Sequence, residues 1–213
     1  MKKVLIMLFL LCFLTGCTVV RIDTKSIDNI VSVILSKENT LYNTIGKGYK
    51  YYVPRGVVYI DSNDFNEKLY CNGDYYYLYL DIISYYYKKD FTYIENKELY
   101  YSKKIEVDDK KGYLEITKID DYYLVEFMYN YAKVEALVLK ENINEVVLNA
   151  SYMLSTIKYN DDVIKLILDE DYFTNKEEQY DIFTSTNNST NFELEYEEIV
   201  DGEEEEWKNG LIW

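Results

Sequence analysis

The sequence predicts an α+β fold: an antiparallel β-sheet meander with an N-terminal helix and a closing amphipathic helix packed on it. Three observations lead there. Gly46 to Ala132 is dense in strand-forming residues and holds 20 of the chain's 26 tyrosines. Short polar turns divide that stretch, and short connections favour antiparallel neighbours. After it, apolar residues recur with a three-four rhythm from Ile143 to Ile157.

From Thr24 to Ile45, apolar residues fall at Ile27, Ile30, Val31, Ile34, Leu41 and Ile45. That is helical spacing with one polar face. Asp23 or Thr24 serves as the cap and Gly46 as the stop. Tyr49 to Val53 reads as a strand, broken by Pro54-Arg55-Gly56 and resumed over Val57 to Ile60. Asp61 to Asn66 reads as a polar loop. Glu67 to Cys71 is a strand that ends in Asn72-Gly73, a strong hairpin signal.

The next strand is expected over Tyr75 to Tyr87. Tyr76, Leu78, Leu80 and Ile82 line its core face. Tyr75, Tyr77, Tyr79 and Asp81 line the other, a half-wet aromatic face and the candidate binding surface. Tyr100 to Val107 then meets Tyr113 to Ile119 across a polar turn. Tyr122 to Tyr129 and Lys133 to Lys140 complete the meander. Asn142-Ile143-Asn144-Glu145 has the capping-box pattern of a helix start. Val163 to Leu168 fits a helix or an edge strand, and periodicity alone leaves both open.

The domain is thus expected over residues 24–172, with an acidic, weakly ordered tail over 173–213. Thr184 to Asn191 is rich in Ser, Thr and Asn, and Glu193 to Glu206 is acidic. Trp207 and Leu211-Ile212-Trp213 stand out at the end of so polar a segment.

Composition narrows the function. The formal charge is −15, which repels nucleic acid and anionic lipid heads. No nucleic-acid partner is expected. The chain has no histidine. That removes Ser-His-Asp triads, Cys-His pairs and histidine-bound zinc. Tyrosine abundance by itself says little. With three alanines and one proline, it matches an AT-rich coding bias added to good strand propensity.

The other candidate sites are weak. Asp61-Ser62-Asn63-Asp64-Phe65-Asn66-Glu67 begins like a calcium loop. Phe65 stands at the fifth ligand position, Asn66 at the glycine and Asn72 at the terminal glutamate, so the pattern fails. No Gly-rich phosphate loop is present. No catalytic residue, metal site or cofactor is expected.

The first residues carry a different message. Lys2 and Lys3 precede an unbroken apolar run, Val4 to Phe13, and Leu14-Thr15-Gly16-Cys17 closes it. The run is too short to span a bilayer, and its layout is that of a secretory signal. An aliphatic residue, two small residues and a cysteine resemble the lipobox of bacterial lipoproteins. The resemblance implies cleavage after Gly16 and a lipid on Cys17. Residues 1–16 would be the signal and 17–23 a spacer. Two or more acyl chains anchor a protein stably, where one does not. The mature chain would have 197 residues and a charge of −17, with Lys2 and Lys3 gone. Cys12 would leave with the signal, so Cys71 would be the one thiol left and no internal disulfide could form.

Two further stretches resemble the PsbP/Mog1-like families. Gly48-Tyr49-Lys50-Tyr51-Tyr52-Val53-Pro54-Arg55-Gly56-Val57 is similar to their opening strand and Pro-x-Gly turn. Val57 stands where those families place an aromatic. Met153-Leu154-Ser155-Thr156-Ile157-Lys158-Tyr159 is similar to their last helix and exit. The resemblance spans about residues 46–159. It implies a sheet flanked by helices with a binding or assembly role.

The functional expectation is a membrane-anchored lipoprotein outside the cytoplasm, with a non-enzymatic binding or assembly role. Its partners would be the membrane, through the N-terminal lipid, and a protein or envelope ligand. The alternatives are a carboxylate-dependent hydrolase of cell-wall glycans and a solute-binding component of a transporter.

Overall fold

The computed structural model of the chain describes residues 22–169. The expected signal, Cys17, most of the expected spacer, residues 170–172 and the expected tail over 173–213 lie outside the described residues.

Helix α1 spans Ile27–Leu35. Ser26 caps it, accepting a hydrogen bond from the Asn29 N–H, and Ile30, Val31, Ile34 and Leu35 form its buried stripe. It is shorter than the 24–45 periodicity suggested. After Ser36 the chain leaves the helix, and Leu41 and Ile45, which continue the rhythm, are 60% and 74% exposed. Asn43 redirects the chain: its side chain donates to the Val53 carbonyl and accepts from the Val53 N–H. Strand β1, Thr44–Gly46, then pairs with β2, Tyr49–Tyr51.

β3 (Val58–Asn63), β4 (Asn66–Cys71) and β5 (Asp74–Leu80) form two successive hairpins. The 61–66 stretch expected as a loop is largely strand. Its turn is confined to Asp64-Phe65, with Asp64 at φ +54°. Asn72 and Gly73 make the second turn at φ +52° and +100°, the left-handed pair that a tight hairpin requires.

The strand expected to run to Tyr87 stops at Leu80. Asp81 turns it into helix α2, Ile82–Tyr86, by accepting from the Ser84 N–H. Residues 87–100 then cross to a second meander without helix or strand. That meander is β6 (Tyr101–Val107), β7 (Lys110–Ile119), β8 (Tyr122–Tyr129) and β9 (Ala132–Val138). β9 docks antiparallel beside β5 and joins the two runs into one seven-stranded sheet, ordered β3-β4-β5-β9-β8-β7-β6.

Helix α3, Ile143–Thr156, lies across this sheet with Val146, Val147, Ala150, Met153 and Leu154 wholly buried. Each such side chain contributes roughly 1.5–3 kcal/mol when removed from water. The expected capping box is not formed. The Asn142 amide donates instead to Asp74, 2.8 Å away, and Glu145 accepts from Asn72. Those bonds tie the start of α3 to the β4–β5 turn. α1 packs on α3 from outside.

β10, Lys158–Tyr159, pairs with β2, which closes a three-stranded sheet β1-β2-β10. The 163–168 run falls within helix α4, Asp161–Asp169, whose first turn is capped by Asn160. Among the described residues no helix is long and apolar enough to cross a membrane.

Candidate functional site

The seven-stranded sheet has two unlike faces. Leu69, Leu78, Val134, Phe127 and Leu114 point toward α3 and belong to the main core. The residues alternating with them carry charge and phenols. Successive strand pairs place Lys68 opposite Tyr77, Tyr77 opposite Glu135, Glu135 opposite Glu126, Glu126 opposite Glu115, and Glu115 opposite Ser102. One polar row thus crosses six strands. The adjacent rung runs Asn66, Tyr79, Lys133, Met128, Tyr113 and Lys104.

The carboxylates of this face are buried. Glu126 has no exposed surface, and Glu115 and Glu135 are 3% and 5% exposed. Lys133 is the buried cation beside them, its Nζ 2.5 Å from Glu135 and 3.9 Å from Glu126. Its ammonium also lies 5.9 Å from the centre of the Tyr79 ring. Glu115 accepts from the Tyr93 hydroxyl, and Tyr93 shares a 2.7 Å hydrogen bond with Ser102. The Tyr93 ring stacks on Tyr113 at 4.7 Å, and Phe91 packs on the same cluster. So the 87–100 connection lays its aromatic residues over the β6–β8 end of the row. At the β4–β5 end, Lys68, Tyr70, Tyr77 and Tyr79 stay half-buried. There the Lys68 ammonium sits 4.2 Å from the centre of the Tyr75 ring.

Burial holds the Tyr113 phenol well above its usual range, and the Glu126, Glu135 and Glu115 carboxylates add to the effect. Burial raises Tyr93 as well, with its bond to Glu115 next in weight. Both phenols therefore keep their protons at neutral pH, and Tyr93 donates its own to Glu115. The two rungs combine phenol rings with three carboxylates, Glu115, Glu126 and Glu135, and three ammonium groups, Lys68, Lys104 and Lys133. The half-open β4–β5 end presents the Lys68 ammonium and the Tyr70, Tyr77 and Tyr79 rings, which suits a polar or aromatic ligand group.

Of the residues singled out from sequence, Tyr77 and Tyr79 lie on this face. Tyr75 shares it but is 9% exposed, packed 5.2 Å from Tyr70, and so is drier than expected. Asp81 does not belong to the face. It caps α2. Cys17 lies outside the described residues. The glutamates were missed, although each sits inside an apolar strand: Leu114-Glu115-Ile116, Val125-Glu126-Phe127 and Val134-Glu135-Ala136. Three such centred charges on successive strands were the available signal.

A second polar group is internal. Tyr49 and Tyr51 of β2 donate their hydroxyls to the two oxygens of Glu67 on β4, and all three residues are buried. Cys71 is buried at the other end of β4, 3.7 Å from Glu145, and burial pushes its thiol up. A protonated, enclosed thiol is a poor nucleophile. Among the described residues no group of three or more Cys, Asp or Glu is arranged to hold a metal.

The fold and this face define an α+β domain with an aromatic, polar sheet face. No family model, curated protein or solved structure matches the chain.

Proposed function

We propose that the chain is a lipid-anchored protein facing outside the cytoplasm, which binds a protein or envelope ligand without catalysing a reaction on it. The observation that carries the binding role is the row from Lys68 through Tyr77 to Glu135, half-buried at its β4–β5 end. The lipobox at Leu14-Thr15-Gly16-Cys17 carries the anchor. A PsbP/Mog1-like relationship belongs to the same reading. The two stretches that resemble those families lie side by side, because β10 pairs with β2.

A carboxylate-dependent hydrolase is the second reading, and the Glu126–Glu135 pair favours it. Their Oε1 atoms lie on one ammonium and so are at most about 6.4 Å apart, near the spacing that glycosidases use. It ranks below the first because that ammonium sits at both carboxylates and Glu126 is fully buried.

Two measurements test the proposal. Cys17→Ala should move the protein from the membrane fraction to the soluble fraction; unchanged retention would remove the anchor. The native mass in a mild-detergent membrane extract, set against the lipid-free domain, should show a larger species than lipid and detergent explain. Tyr77→Ala combined with Tyr70→Ala should reduce that species. Equal masses throughout would count against a stable protein partner.

A further inference from the structure

The three-stranded sheet β1-β2-β10 turns one face to the core and the other outward. Tyr49 and Tyr51 of β2 point inward to Glu67, so Lys50 between them points out. The register sets Ile45 of β1 and Lys158 of β10 on either side of Lys50. Ile45 and Lys158 are exposed, and exposed Leu41 and Tyr42 extend the apolar part of this surface. The Lys50 ammonium lies 4.1 Å from the centre of the Tyr42 ring. Two lysines directly opposite each other in a ladder repel. Elsewhere in the molecule lysines are paired: Lys133 with Glu135, Lys103 with Asp28, Lys111 with Asp90. Among the described residues no carboxylate forms an ion pair with Lys50 or Lys158.

The composition around this face is unlike the rest of the chain. From Asn39 to Ile60 the sequence has no Asp or Glu, although the chain carries 38. The acids that follow β10, Asp161 and Asp162, open α4, and Asp161 accepts from the Tyr85 hydroxyl. An acidic protein thus presents a basic and apolar patch. The sequence beyond α4 has the complementary chemistry. Glu193 to Glu206 holds nine acidic residues and no Lys or Arg. In Phe192-Glu193-Leu194-Glu195-Tyr196-Glu197 apolar residues alternate with acids, and Trp207 and Trp213 follow. The chain also leaves from the right place. α4 continues from β10 and packs at the β1–β2 turn, where a Cβ on Gly48 would stand 3.1 Å from Ile164.

We infer that the chain's own segment 193–213 docks on the outer face of the three-stranded sheet. Its glutamates meet Lys50 and Lys158, and its apolar side chains, the tryptophans included, meet Leu41, Tyr42 and Ile45. Residues 170–192 reach at most about 80 Å when extended, ample for the return. An exposed ion pair alone contributes little. Here several acids, the apolar contact and the tether act together, and the tether raises the effective concentration of the segment at the patch. Docked, the segment shields the two lysines from anionic lipid heads and from acidic proteins. The contact does not depend on the lipid anchor.

Trp207 and Trp213 are the chain's two tryptophans, so tryptophan fluorescence reports this segment alone. In the lipid-free chain, residues 17–213 carrying Cys17→Ser, acrylamide should quench them less than in a free peptide of residues 193–213. Lys50→Glu with Lys158→Glu should raise the quenching to the peptide's value, and added salt should move it the same way by screening. Lys97→Glu with Lys118→Glu makes the same charge change at exposed positions elsewhere and should leave the shielding in place. Adding Glu193→Lys, Glu195→Lys and Glu197→Lys to the first variant should restore it. Far-ultraviolet circular dichroism checks that each variant is folded. Tryptophans as open in the parent chain as in the peptide, or shielding that Lys50→Glu with Lys158→Glu leaves unchanged, would overturn the inference. So would shielding that grows with protein concentration, which means a segment docked on a second copy.

Discussion

Tyr51, on the three-stranded sheet, donates its hydroxyl to Glu67, on the seven-stranded sheet, and both side chains are buried. Tyr49 donates to the other carboxylate oxygen. The two sheets are thus held together by a charge inside the core, where an orphaned acceptor is expensive. Tyr51→Phe strands one oxygen of Glu67 and should cost about 1–3 kcal/mol. Urea denaturation checks this, and an unchanged midpoint would show that the carboxylate has found another donor.

Lys133 ties Glu126 to Glu135 on the polar face. Lys133→Met should cost roughly 3–5 kcal/mol, the range for removing one partner of a buried ion pair. Adding Glu126→Gln and Glu135→Gln should recover much of that loss, since the stranded charges go with it. If the triple variant is no more stable than Lys133→Met, the penalty does not come from unpaired carboxylates.

Asp74 gives the pH dependence a definite sign. Burial pushes its carboxyl from the ordinary 3.8 up to about 6, against the pull of the Asn142 amide and with Glu145 and Glu141 adding to the rise. The folded state therefore holds this proton more tightly than the unfolded chain. Its contribution is fully present below about pH 4 and is lost as pH rises through about 6. Asp28, Asp90 and Glu106 are shifted the opposite way by their lysines. The whole-protein profile mixes these effects, and the difference between wild type and Asp74→Asn isolates the one group. That difference should grow in favour of Asp74→Asn as pH rises from about 4 to 6. A flat difference would mean that Asp74 is not perturbed.

Gly112 faces Tyr129 across the β7–β8 pair, and a Cβ there would stand 2.1 Å from the Met128 carbonyl oxygen. The obstacle is backbone, which cannot rotate away. Gly112→Ala should cost about 1–3 kcal/mol by overpacking. Gly73→Ala meets no atom within 4 Å, and its cost, about 1 kcal/mol, comes from the φ of +100° alone. Thermal denaturation of the pair should rank Gly112→Ala as the less stable.

Most strands of the large sheet were legible because each carries its own alternation, and Asn72-Gly73 marked its turn outright; β1 and β10 do not read as strands, and β3 beyond Ile60 reads as loop. α3 was legible for the same reason. What failed was local pattern that distant atoms override. Leu41 and Ile45 keep a helical rhythm, yet Asn43 is claimed by Val53 and the chain turns into β1. Asp81 fits the strand alternation but turns the chain into α2. Asn142 and Glu145 have capping-box spacing, but the β4–β5 turn competes for both. The pairing of β9 with β5 was beyond reach, because it joins strands separated by the whole second meander. The glutamate row shares that origin. Three separate positions become one row only once β7, β8 and β9 are in register.

The packing of α1 on α3 has a mechanical meaning. Tension entering from the N-terminal end of the described chain meets α1 before it meets any strand of the large sheet. α1 is held by one apolar stripe, by the Asn144 bond to the Thr24 carbonyl, and by Lys103 and Tyr101 on Asp28. Such a contact opens by peeling, a few side chains at a time. The β6–β9 ladders would have to be broken many bonds at once. A weak pull would thus be expected to free the first helix and leave the sheet intact.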